Sequence, residues 1–272
     1  MKLIKIIQIH FLFLVIILFL ACGGESDSPK PAETPNSTST PSIVLQNAPL
    51  DANKTDTNVT SGAQQASESP VSQRYPLHRN ITATLFWVGE QESEANHQIT
   101  NSVSAWDDHW MAHYGGIDTP DRQTLFPPFT PHENPFYFAL PYNDFDDFGK
   151  RRDDVLTVIP WAKERFWEEN VSIVKNRWIE IVHNGKKVYA QWEDAGPFVY
   201  DDAAYVFGEA APANRFNDRA GLDLSPAVWI YLGYDTRGED NRAKVDWRFV
   251  DEEAVPEGPW RSVVTTRQID WE

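Results

Sequence analysis

The sequence predicts a mostly-β fold with short helices in the crossovers between strands. Short runs rich in β-branched and aromatic residues recur after residue 75. An Asn184-Gly185 pair sits between two of these runs and marks a two-residue hairpin turn. The best punctuated helix is short: Ser225 can cap it, Pro226 suits its first position and Gly233 can end it.

Taken in order, Ala83–Val88 and Pro135–Leu140 read as strands. Arg177–Val182 and Lys187–Glu193 flank the Asn-Gly turn, Lys244–Val250 alternates, and Ser262–Thr266 is expected to add a last strand. Trp106–Tyr114 and Trp161–Glu169 are expected to be helices. There is no repeat, phosphate loop, dinucleotide fingerprint or G-x-S-x-G, so no cofactor is implied.

The 272 residues divide by composition into 1–22, 23–74 and 75–272. Lys2 and Lys5 precede an apolar run from Ile6 to Leu20, then Ala21 and Cys22. That is the signal-peptide pattern. The run of about 15 residues spans about 22 Å as a helix, short of a hydrocarbon core of about 30 Å; an uncleaved anchor is the alternative. Leu20-Ala21-Cys22 resembles the lipobox of bacterial lipoproteins, with Phe19 in place of the usual Leu. The resemblance implies lipidation of Cys22, and Gly23 after it implies sorting to an outer membrane facing the periplasm. Residues 23–74 hold no aromatic residue and read as a disordered tether. The tether would have an end-to-end distance of roughly 40 Å.

The formal charge is −16; without residues 1–22, which hold two lysines and no acid, it is −18. Such a chain has no general electrostatic attraction for nucleic acid. One cysteine excludes an intrachain disulfide framework and a cysteine-cluster metal site. All 11 tryptophans lie in 75–272.

Three segments combine in that region. The hairpin ends in Gln191-Trp192-Glu193-Asp194-Ala195-Gly196-Pro197-Phe198. Gly221-Leu222-Asp223-Leu224-Ser225-Pro226-Ala227 leads into a helix closing at Leu232-Gly233. Val245-Asp246-Trp247-Arg248-Phe249-Val250 follows. With Ala139-Leu140-Pro141, these resemble, in the same order, the motifs of rare lipoprotein A. The resemblance covers roughly residues 83–250. It implies a six-stranded double-psi β-barrel with short crossover helices and two long insertions, 90–133 and 144–176. Related barrels occur in expansins, barwin-like proteins, family-45 endoglucanases and membrane-bound lytic transglycosylases, which share a polysaccharide groove.

Asp194 is the leading site candidate. It ends a strand before Gly-Pro and shares a face, by period two, with Val188, Ala190 and Trp192. A partly desolvated carboxyl stays protonated and can donate to a glycosidic oxygen. The resemblance makes the matching Asp the catalytic acid of lytic transglycosylases, a one-carboxyl chemistry that yields an anhydro-sugar. Asp144 is the best second carboxyl for an inverting hydrolase, ahead of Asp118 and Asp223. Tyr137 stands where the family pattern has an assisting histidine and can donate a hydrogen bond in its place. Ala195 stands where the pattern has Arg. Trp87, Tyr142, Trp192, Phe198 and Tyr200 are candidate stacking platforms for sugar rings. His109 and His113 share a helical face, but no third ligand is evident, so no metal is assigned. The acid run Asp144–Asp154 carries Lys150, Arg151 and Arg152 and reads as a solvated loop.

The expected protein is an envelope lipoprotein whose barrel binds a glycan, first of all peptidoglycan, with cleavage by the one-carboxyl mechanism as the further expectation from the resemblance. The alternatives are a non-catalytic glycan-binding lipoprotein and an envelope protein-interaction module. The acidic balance counts against an anionic wall polymer, because like charges repel at low salt. Nothing in the sequence gives an oligomeric state.

Overall fold

A computed structural model of the chain describes residues 74–271, apart from 95 and 239. The signal, Cys22 and the tether up to residue 73 lie outside the described residues. Among the described residues, no helix is long and apolar enough to cross a membrane.

Six strands close into a barrel: β1 (His78–Leu85), β2 (Tyr137–Leu140), β3 (Trp178–His183), β4 (Lys186–Ala195), β5 (Leu222–Leu224) and β6 (Arg242–Val250). Their order around the wall is β1-β5-β2-β4-β3-β6. The β1/β5 and β2/β4 pairs are parallel, and the other four are antiparallel. This pattern is compatible with a double-psi barrel. β3 and β4 meet through Asn184 (φ +48) and Gly185 (φ +78), two left-handed residues that match the strand twist.

The interior is aromatic. Trp192 stacks between Phe138 at 5.9 Å and Phe249 at 5.8 Å, and Trp247 meets Phe249 at 5.3 Å. Ala83, Leu222, Leu224, Ile179, Ile181, Val188 and Val245 complete the same core. A second apolar cluster lies on the outer face of β1 and β2. There Phe86, Val88, Tyr137 and Ala139 pack against Trp110 and Tyr114 of α1 (Trp110–Tyr114). The wall is thus buried on both faces beneath the insertions.

The structure departs from the sequence expectation in four elements. Ser262–Thr266 is no strand; Gln191 grips it, accepting from Thr265 N–H (2.9 Å) and donating to Thr265 O (3.1 Å). The sixth strand is instead β5, three residues long. Trp161–Glu169 forms turns, pinned where Trp161 Nε1 donates to Ile173 O (2.7 Å) and Trp167 Nε1 to Ala162 O (2.9 Å). The helix expected over Trp106–Tyr114 keeps only α1. The backbone before it is engaged by the C-terminal segment: Asp108 N–H donates to Asp270 O (3.0 Å) and Asp270 N–H to Trp106 O (2.9 Å).

The short helices α2 (Val155–Val158) and α3 (Ala203–Val206) sit in two connections, and α4 (Pro226–Leu232) follows β5. The α4 cap is as the sequence implies. Ser225 Oγ accepts from Val228 N–H (3.4 Å), and Gly233 ends the helix at φ +97. The same hydroxyl donates to Pro135 O (2.8 Å) and accepts from Tyr137 N–H (3.3 Å), tying α4 to β2. Ser225→Ala is expected to lower unfolding free energy by about 1–2 kcal/mol. The urea midpoint should fall at unchanged slope; an unshifted midpoint would contradict the tie.

Candidate functional site

β4 carries one more residue than β2 across their parallel pair. Phe138 pairs with Trp192, but Ala139 pairs with Asp194. Glu193 is the extra residue, and a bulge of this kind re-aims the side chains beyond it. The period-two expectation is corrected here: Trp192 points into the barrel core, whereas Asp194 lines an external cavity with Asp223. Ala139 also pairs with Asp223 of β5. The small side chain of Ala139 therefore lies between two carboxyls, with their Cα atoms roughly 9.5 Å apart across two strand spacings.

The cavity has a volume of about 510 Å³. Asp194 Oδ1 accepts from the backbone N–H groups of Ala105 and Ala195, both at 2.8 Å. Asp223 accepts from the Thr84 hydroxyl. Burial pushes the Asp194 carboxyl up to about 7, with the two backbone donors pulling it back. Burial pushes Asp223 up to about 8; the Thr84 bond opposes this, and the neighbouring charges of Glu90 and Asp194 add to it. Glu90, raised by burial, lines the same cavity. Beyond Asp194 the chain turns through Gly196 (φ +152), a cis Gly196–Pro197 bond and Phe198 (φ +59). Gly196 turns at φ +152, a conformation that L side chains rarely adopt, and a Cβ there would touch Asp223 Oδ2 at 3.4 Å.

Among the candidate platforms, Trp87, Phe198 and Tyr200 line the cavity, and Tyr200 is half-exposed. Trp192 and Tyr142 do not: both are fully buried in the main core and have no face to offer a sugar. Asp144 is likewise buried away from the cavity. Its oxygens accept from Ser172 Oγ (2.8 Å), Ile173 N–H (2.6 Å) and Trp106 Nε1 (3.2 Å), which anchors the 144–176 insertion. Tyr137 is buried beneath the other insertion. Its hydroxyl donates to Asp118 Oδ2 (2.9 Å) and accepts from Val88 N–H (2.9 Å). Asp118 also binds Tyr114 and Arg122, and burial raises it to about 6. Glu90 and Thr84 were not singled out as site groups from sequence, and Asp223 was placed behind Asp144 as a second carboxyl. Their signal is the outward parity of Thr84 and Asp223 on adjacent strands, which becomes readable once β5 is recognised.

One group among the described residues could hold a metal: Asp107, His113 and Asp270. His113 Nδ1 lies 2.8 Å from Asp107 Oδ2, and Nε2 lies 3.8 Å from Asp270 Oδ2. The ring is hydrogen-bonded to Asp107 within the insertion, with the Asp270 carboxylate of the C-terminal segment at ion-pair distance. His109 is not in the group, although its ring lies 5.8 Å from that of His113.

No family model matches the chain, and no curated protein matches it. Among solved structures it is similar to the Streptomyces papain inhibitor. The identity is 11%, over 67% of this chain and 98% of that one, with a TM-score of 0.29. A likeness at this level carries no inference about what the chain binds.

Two outcomes follow from the geometry. Tyr137→Phe strips a buried amide and a buried carboxylate of a partner. It should cost about 1–3 kcal/mol in urea unfolding. Ligand binding at the cavity should be unchanged, and a loss of binding at full stability would return Tyr137 to the site. The second concerns pH. A carboxyl whose folded pKa is raised binds protons in the native state that the unfolded state has released. Its contribution is full below the unfolded pKa, near 4, and is lost as pH rises through the folded values of about 7 and 8. Relative to Asp223→Asn, the wild type should therefore lose stability between pH 4 and 8. Parallel urea-midpoint profiles would refute the buried protonated state.

Proposed function

We propose that the barrel is the glycan-binding, glycan-cleaving domain of an envelope lipoprotein resembling rare lipoprotein A. Its first substrate is peptidoglycan. The observation that carries this is Asp194 in a cavity with Asp223, flanked by Trp87, Phe198 and Tyr200. Aromatic faces hold sugar rings, and a carboxyl protonated near neutrality is the acid that a glycosidic oxygen needs. Asp194 gives its proton to the leaving oxygen. As a carboxylate, it then takes the proton of the sugar's own 6-hydroxyl while that oxygen closes on the anomeric carbon, giving an anhydro-sugar. The proton returns to Asp194, so one residue completes the cycle.

A second reading is favoured by the pairing of both aspartates with Ala139. An inverting hydrolase uses two carboxyls about 6.5–9.5 Å apart, and both aspartates line the one cavity. Asp223, held protonated to higher pH than Asp194, would then be the acid, and Asp194 the base that activates a water on the far face of the sugar. The two chemistries differ in product: an anhydro end in the first, a reducing end in the second. Cys22 lipidation and a position facing the periplasm belong to the same proposal; a non-catalytic role, in which the cavity only holds the glycan, is the alternative to cleavage.

The full chain should release soluble fragments from purified sacculi. Asp194→Asn should abolish release while the chain still sediments with sacculi. Release equal to wild type would remove Asp194 from the mechanism; sedimentation without release by the wild type would leave the binding role alone.

A further inference from the structure

The first part of the 90–133 insertion does more than line the cavity. Gly89 turns at φ +80 against Ile117, and its N–H donates to Asn101 O (2.8 Å). Asn101 N–H returns to Glu90 O (2.9 Å), so the two ends of the loop are zipped together. Inside, the Glu90 carboxylate accepts from the side-chain amides of Asn96 (3.1 Å) and Asn101 (2.8 Å). Asn96 also donates to Gln91 O (2.8 Å), and Gln98 N–H to Ser93 O (2.8 Å). Ends held close and polar side chains turned inward make a self-supported loop.

The tip of this loop reaches the opposite wall. The His97 ring lies 5.0 Å from Phe198 and 5.0 Å from Phe216, and those two rings lie 5.3 Å from each other. Phe198 belongs to the turn beyond Asp194, and Phe216 to the connection between β4 and β5. Of the three rings, Phe198 lines the cavity, and Asn96 and Asn217, the neighbours of His97 and Phe216, line it too, so the rings bridge the loop to the side that carries the Asp194 turn.

An open groove lets the interior of a polymer enter sideways. A cavity whose walls touch does not: a chain enters by its end or waits for the rings to part. The volume of about 510 Å³ lies within the range of about 300–1,000 Å³ for small-ligand sites. On the glycan reading given above, on which this rests, we infer that the 89–103 loop restricts the site to chain ends and short oligosaccharides. His97 and Phe216 are its specificity-determining residues. Phe216 is half-exposed, so changing it leaves the core untouched.

The test uses the full chain and sacculi of one preparation, intact or partly clipped by a muramidase, with bound protein counted against the ends present. Bound protein should rise in proportion to the ends created by clipping. The double variant His97→Ala, Phe216→Ala should bind intact sacculi several-fold more than wild type. Wild-type binding that is high on intact sacculi and indifferent to clipping would overturn the inference and leave the glycan reading standing. A variant that binds intact sacculi no better than wild type would remove the loop as the cause. Failure of both proteins to bind any preparation would remove the glycan reading, and this inference with it.

Discussion

Parallel pairing of β1 with β5 and of β2 with β4 cannot be made by tight turns. Of the strands that follow each other in the chain, only β3 and β4 are neighbours in the wall, so the other four connections must leave the wall and re-enter it elsewhere. Most of the architecture follows from that requirement. The connection from β1 to β2 and the one from β4 to β5 meet outside the barrel, and the cavity lies where they meet. One extra residue at Glu193 then decides which way Asp194 points. Without the bulge, Asp194 would follow Trp192 into a core already filled by Phe138, Phe249 and Trp247.

Covering the outer face leaves polar groups under the crossovers, and the protein meets this with local partners. Asp118 is held by Arg122 and two tyrosine hydroxyls, Asp144 by a serine, a backbone amide and an indole. Glu193, pushed up by burial, is paired with the Lys175 ammonium. Each is an acid in a low-dielectric place, the description also sought for a catalytic acid. What separates them from Asp194 is access. Asp118 and Asp144 are enclosed, whereas Asp194 and Asp223 share a cavity with room for a ligand.

The strands long enough to show a pattern were legible in the sequence, and so was the capped helix α4. β5 was not, because three residues give no periodicity and its Leu-Asp-Leu abuts a strong capping signal. Once β5 is hidden, Asp223 looks like part of a helix start rather than a wall residue facing Asp194. The bulge is also invisible, since Gln191-Trp192-Glu193-Asp194 reads as continuous alternation. Tyr137, Tyr142 and Trp192 illustrate the same limit. An aromatic residue that stacks on a sugar and one that fills a doubly buried wall have the same composition and spacing. Only the packing of the insertions tells them apart.

The acidic character of the chain also reads differently once the cavity is known. A net charge of −18 on the chain without its signal would repel an anionic wall polymer if the acids were all ionised at the contact. Of the acids that line the cavity, Glu90, Asp147, Asp194 and Asp223, burial holds Asp194 and Asp223 protonated up to about 7 and about 8, and Arg152 lines it too. At and below neutral pH the contact surface is therefore less negative than a count of its carboxyls. The proton that removes the repulsion at Asp194 is the same proton that a glycosidic oxygen would receive. On the proposed reading, desolvation would thus serve binding and chemistry through a single group, and both would weaken together as the pH rises through its pKa.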